Sequence, residues 1–389
     1  MPKAAKVPLS ALFAINKPTG IPSMQLLNKL QPLFSASELF RDPNKPSHGG
    51  KGGRGGRGGK RSRGRGDQVK MGQGGTLDPL ADGVLVVGTN AATKSLSRFL
   101  DCTKEYRAIG LVGCSTDSYD SEGKRVRTCS WEGVTRESVE EALASFRGEI
   151  EQTPPIYSAL KMDGKPLYEY ARTNTPLPRP IPPRKVTVHS LELLRFVEGS
   201  DHDYEWPKEE LDDAAKKELE RLEKMVKEGR TEVPSEEEVA SAPSAVGPAA
   251  PSAPAARPPF FEIRMTVSSG TYVRSIVHDL GIALGSAAHV VKLTRTRQGE
   301  FVLDPAAAHA AVGEGGGGGG GAGESSKAVE AAEGVLLDTF TGGCVEWSLL
   351  EAAIKAQEAA KKEGREVEGR DADGWLEWER DLLSKCKEV

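Results

Sequence analysis

Asp78 is the acid whose setting in this sequence invites chemistry. It lies in residues 72–89, GQGGTLDPLADGVLVVGT, between Leu77 and Pro79. Pro79 biases Asp78 away from helical backbone toward an extended conformation. Gly72, Gly74 and Gly75 let the chain turn tightly or approach a bulky partner. The apolar run 84–87, VLVV, reads as a buried strand between Gly83 and Gly88. The segment therefore predicts a carboxylate on a stiff loop at the mouth of a strand, placed for nucleophilic or acid–base work. By itself an Asp before a Pro is equally at home in an ordinary turn.

Other residue types add to that chemistry. Tyr106, in the alternating run 104–114, offers a flat face and a hydroxyl. Arg274 offers a guanidinium to an anion, with Tyr272 on the same face if this segment is a strand. Leu293 is an apolar wall, while Gln73 and Lys161 could touch a polar or phosphate-bearing partner. Each also has a structural reading: core aromatic, structural ion pair, core leucine, solvated lysine.

The elements that must position them are legible in outline. Residues 9–16 read as a strand, followed by a turn at 17–20 and a helix from Ser23 that Pro32 should end or kink. A helix is expected over 91–100, strands over 104–114 and 124–129, and a helix over 135–146 capped by Thr135. Strands over 184–196 and 260–268 complete the set. Three stretches cannot build a core and are expected to be disordered inserts or linkers: 42–67 (Gly, Arg and Lys), 198–259 (charged, then Ala and Pro) and 311–334 (Gly-rich). A charged, helix-prone tail, 335–389, follows.

Composition narrows the classes. Net charge is −4, so the chain as a whole is not a simple basic nucleic-acid binder, although the Arg/Gly insert is locally basic. Five scattered cysteines and six separated histidines make neither a zinc pattern nor a disulfide framework, so no metal is expected. No segment is long and apolar enough to span a bilayer, and no membrane association is expected. The basic insert could serve as a nuclear address, and the lysines before the first acid, Glu38, faintly resemble a mitochondrial presequence. Nucleus and mitochondrion are therefore the compartments considered, with a cytoplasmic pool compatible.

Five ordered blocks resemble the TruB family of tRNA pseudouridine synthases. GGTLDPLADGVL matches the motif whose Asp is the nucleophile, here Asp78. INKPTGIPS (15–23) resembles the motif thought to brace that loop. KEYRA (104–108) carries the active-site tyrosine, Tyr106. SSGTYVRSIVHDLG (268–281) carries the arginine set opposite the nucleophile, Arg274. VVKLTR (290–295) holds the leucine of the base pocket, Leu293. TPPIYSALKMDGKPLYEYAR (153–172) resembles the eukaryotic, and in particular the fungal, branch. One departure is Gln73, where many members carry a histidine that helps hold the flipped RNA.

The resemblance implies a mixed α/β fold over residues 8–310, with a central, largely antiparallel sheet flanked by helices and a cleft across it. It also implies a monomer that isomerises uridine 55 in the T stem-loop of tRNA without cofactor or guide RNA, with recognition by shape extending the reading to T-loop-like mRNA hairpins. Whether Asp78 attacks C6 of the base or C1′ of the sugar stays open at this stage. Two rivals also stay open: a guide-RNA-dependent synthase of the dyskerin type and a non-catalytic RNA-binding or tRNA-folding factor. A phosphate-binding loop is excluded, because residues 72–75 fit neither glycine pattern of nucleotide binders.

Overall fold

The computed structural model describes residues 7–42, 68–173, 175, 177–199, 201–227, 257–305 and 342–389. Of the expected inserts and linker, residues 43–67 of 42–67, residues 228–256 of 198–259 and all of 311–334 lie outside the described residues. The chain divides into two compact units, Met1–Cys102 with Arg295–Val389, and Thr103–Thr294. It passes from the second to the first inside the strand Ala288–Gln298.

In the first unit the strand Ala11–Lys17 is apolar at nearly every position because both of its faces are covered. Leu12 and Ala14 join Val84, Val86, Phe99 and Phe301 in one cluster. On the other face Phe13 stacks on Phe34 of the helix Ser23–Ala36, ring centroids 5.8 Å apart. Ala11–Lys17 pairs antiparallel with Asp82–Thr89 and parallel with Cys344–Glu346. The helix runs through Pro32 rather than ending there, because Leu33 and Phe34 are buried just beyond it. The stretch 91–100 forms a 3₁₀ turn, Asn90–Leu96, and then a short helix, Ser97–Asp101.

Residues 342–389 of the tail, whose role the sequence leaves open, belong to this unit. Cys344–Glu346 and Lys387–Glu388 both pair with Ala11–Lys17. From the helix Glu377–Lys385, Trp378 packs on Phe34 and Phe40 at 5.1 and 6.2 Å. Buried Glu379 beside it accepts a hydrogen bond from Ser37 Oγ at 2.5 Å.

The second unit is an antiparallel sheet in the order Lys104–Val112, Phe260–Val267, Arg184–Val197, Gly148–Gln152. The helices Arg136–Leu143 and Val273–Ala283 lie on the sheet. Thr135 caps the first of them in a reciprocal capping box with Ser138. Part of the expected 198–259 insert belongs to this unit. Tyr204 and Trp206 pack on the cluster of Ile109, Leu111 and Phe260. Trp206 Nε1 donates to the Val112 carbonyl at 3.0 Å. Residues 213–227 form a helix, and Leu211 N–H donates to the Arg125 carbonyl at 2.9 Å. Two buried or half-buried aromatics inside a charged stretch are what the compositional reading undervalued.

Candidate active site

The Asp78 loop is held by the segment 17–23. Lys17 is completely buried, and its ammonium donates to the carbonyls of Pro18 (2.8 Å), Pro79 (3.3 Å) and Ala81 (2.6 Å). Thr19 Oγ1 donates to the Leu80 carbonyl at 2.7 Å, and Gly20 N–H to the Pro79 carbonyl at 2.8 Å. Ser23 Oγ donates to the Leu77 carbonyl at 2.9 Å and accepts from the Leu77 N–H at 3.0 Å. The backbone polar groups flanking Asp78 thus find their partners in one short segment, as a buried loop requires. The bracing implied by the resemblance is present atom by atom.

The glycines before the loop have specific work. A Cβ on Gly74 would lie 2.6 Å from Phe99 Cβ, so only glycine lets the strand Met71–Gln73 run on past that ring. Gly75 has φ +134°, a backbone that side chains disfavour. Buried Gln298 ties the turn from the far side, its Nε2 donating to the Gly74 carbonyl at 2.6 Å and the Phe99 carbonyl at 3.2 Å. Gln73 Nε2 donates to Thr76 Oγ1 at 3.2 Å, so its amide is engaged within its own loop.

In the second unit Arg274 departs from the strand expected for it. It sits in the first turn of the helix Val273–Ala283, with Tyr272 as the N-cap residue. Tyr272 and Arg274 therefore do not share a strand face. The helix start carries no side-chain cap of its own. Instead buried Gln152 clamps Tyr272, accepting from its N–H at 2.7 Å and donating to its carbonyl at 2.9 Å. Ser275 Oγ donates to the Thr153 carbonyl at 3.1 Å.

Arg274 is buried at the positive end of a helix dipole, a poor place for a cation on electrostatic grounds. Two carbonyls and a carboxylate offset that. Nη1 donates to the Ser118 carbonyl at 2.6 Å and lies 3.5 Å from Asp120 Oδ2; Nη2 donates to the Tyr157 carbonyl at 2.8 Å. Asp120, also buried, accepts from Ser118 Oγ at 2.6 Å and from the Glu122 N–H at 3.1 Å. Burial also pushes the Asp117 carboxyl upward, opposed by backbone donors that include Lys124 N–H at 2.8 Å. The sequence reading overlooked Asp120 and Gln152. DSYDSEGK (117–124) does carry the turn-forming signature of such a loop.

The remaining candidates also belong to the second unit. Tyr106 is half-buried on the strand Lys104–Val112, opposite Met265. Leu293 is buried on Ala288–Gln298. Lys161 is exposed on a two-stranded ribbon, where it pairs with Pro166. A cavity of about 490 Å³ lies in the first unit, lined by Leu349, Asp371, Trp375 and Arg380, and it holds no candidate residue. Among the described residues no group of three or more His, Cys, Asp or Glu side chains is arranged to hold a metal ion.

Comparison with known proteins follows the same lines. A family model described as TruB family pseudouridylate synthase (N terminal domain) matches residues 63–206. The chain is 40% identical over 335 residues to the protein named tRNA pseudouridine synthase 4 of Schizosaccharomyces pombe, covering 75% of this chain and 79% of that one. It is 37% identical over 322 residues to tRNA pseudouridine synthase 4 of Saccharomyces cerevisiae, covering 76% and 78%. With the mouse pseudouridylate synthase TRUB1 it shares 34% identity over 302 residues, covering 78% and 66%.

Proposed function

The chain belongs to the TruB family of pseudouridine synthases, and from that premise we propose that it isomerises uridine 55 in the T loop of tRNA to pseudouridine, acting alone without a guide RNA. The fungal relatives carry tRNA in their names, which supports the substrate class. The observation that carries the reading is the bracing of the Asp78 loop by Lys17, Thr19, Gly20 and Ser23. So many bonds to one short loop are justified by the side chain it presents.

The chemistry assigns each residue a task. The target uridine is flipped out of the folded loop into the enzyme. Asp78 carries the covalent step that lets the N1–C1′ bond break, the base rotate, and C5 join C1′. Overall the C5 proton is released and N1 takes up a proton, so no oxidant, reductant or hydrolytic water is consumed. Tyr106 supplies a stacking face and a hydroxyl for proton transfer. Arg274 favours the ionised carboxylate and Leu293 excludes water from beneath the base. Tyr272, Gln73 and Lys161 are assigned contacts to the RNA, and the protein works as a monomer. T-loop-like mRNA hairpins fall within the same recognition by shape. The nucleus and the mitochondrion are the proposed compartments.

Tritium release from C5-labelled, unmodified tRNA tests this directly. Wild type is expected to release tritium, with the product mapped to the T loop. Asp78→Asn is expected to release none while binding tRNA within a few fold of wild type. Turnover retained by Asp78→Asn removes Asp78 as nucleophile, and no release by wild type from any tRNA turns attention to a guided or non-catalytic role.

A further inference from the structure

The loop that brings Asp120 to Arg274 joins the strands Cys114–Thr116 and Arg125–Thr128. Within it Tyr119 has φ +63°, the left-handed region that a bulky aromatic seldom occupies. That angle has a direct consequence. It sets the tilt of the peptide plane between Ser118 and Tyr119, and the Ser118 carbonyl in that plane accepts the 2.6 Å bond from Arg274 Nη1. A Tyr119 relaxed to negative φ would turn that carbonyl away and carry Asp120 with it.

Something must hold the unfavourable turn. Two backbone bonds contribute: Tyr119 N–H to the Thr116 carbonyl at 3.2 Å, and Val290 N–H to the Tyr119 carbonyl at 3.0 Å. The third restraint is the side chain. The Tyr119 ring stacks on the imidazole of buried His278, centroids 3.9 Å apart and planes 12° from parallel. His278 lies four residues after Arg274 on the helix Val273–Ala283, so the two project from one face, a turn apart. Loop and helix therefore meet at two neighbouring rungs, Tyr119 on His278, and Ser118 with Asp120 on Arg274.

We propose that the Tyr119–His278 stack is a positioning device for Arg274, holding the strained turn that aims the Ser118 carbonyl and the Asp120 carboxylate at its guanidinium. The importance of this to turnover rests on the role given to Arg274 above; its importance to the geometry does not. Stacking needs two flat rings and neither the phenol hydroxyl nor an imidazole proton. Tyr119→Phe and His278→Phe should therefore keep the device, whereas Tyr119→Ala and His278→Ala should break it. Tyr119→Ala is the informative change, because alanine still meets the cost of positive φ but has no ring to hold the turn.

Each variant is to be measured in steady-state tritium release and by the side-chain Nε–H NMR signal of Arg274 in protein labelled with ¹⁵N-arginine. The expected result for Tyr119→Ala and His278→Ala is a kcat lower by roughly ten- to a hundredfold, with KM and Tm close to wild type and the Arg274 signal broadened by exchange. The two phenylalanine variants should match wild type in both readouts. A Tyr119→Ala protein with wild-type kcat and a sharp Arg274 signal overturns the proposal, as does a kcat loss matched by a fall in Tm. If wild type itself releases no tritium, the functional reading fails, and the NMR comparison alone decides the role of the stack.

Discussion

Lys17 is an ammonium given up to its own backbone. Its charge is fully buried, and it donates to the carbonyls of Pro79 and Ala81, which lie just after Asp78. Lys17→Met keeps the length of the stem and removes the donors, leaving buried carbonyls unpaired at a cost of about 1–3 kcal/mol each. Urea unfolding should show a stability loss of that order, and tritium release should fall with it because the loop is no longer fixed. Asp120→Asn is the opposite kind of change. It leaves the Ser118 and Tyr157 carbonyls on Arg274 and removes only the negative charge. The expected outcome is a kcat lower by at least tenfold with tRNA affinity and Tm nearly unchanged, read from single-turnover kinetics and filter binding; full activity would show that the two carbonyls suffice.

At the scale of elements, the tail makes the clearest prediction. Trp378 is buried against Phe34 and Phe40, so Trp378→Ala should destabilise the first unit by about 3–5 kcal/mol. A tail that merely accompanied the enzyme would leave the denaturant midpoint where it is. This docking was not legible in the sequence for a physical reason. The strands involved, Cys344–Glu346 and Lys387–Glu388, are three and two residues long, too short for any periodicity, and pair through backbone groups with residues hundreds of positions away. The start of the Arg274 helix was hidden for a related reason. Its N-cap residue, Tyr272, is held by Gln152, 120 residues upstream, while the local sequence, TYVRSIV, reads as strand. The Asp78 loop was the opposite case. Its glycines, Pro79 and the apolar run of Asp82–Thr89 are all local, and the loop and strand appear where the residues put them.

Considered whole, the protein should lose stability in mild acid partly through one histidine. His289 is buried, with Nδ1 2.9 Å from the Cys114 carbonyl, and burial pushes it down from 6.5 to about 4. Between those values the folded state keeps it neutral while the unfolded chain takes up a proton, so stability falls as pH drops from about 6.5 to about 4. Thermal unfolding at pH 7 and pH 5 should show a larger loss for wild type than for His289→Phe; equal losses would assign the acid sensitivity to other groups.

The pairing of Ala11–Lys17 with Cys344–Glu346 also orders events in time. Thr103–Thr294 is continuous in sequence and can acquire its contacts while translation proceeds, so Arg274 and its supporting loop are available early. The unit that carries Asp78 is split, and its first strand waits for partners that leave the ribosome some 330 residues later, as the side-chain bond from Asn16 to Glu346 makes plain. A nascent chain thus completes the unit that carries Arg274 before it completes the unit that carries Asp78.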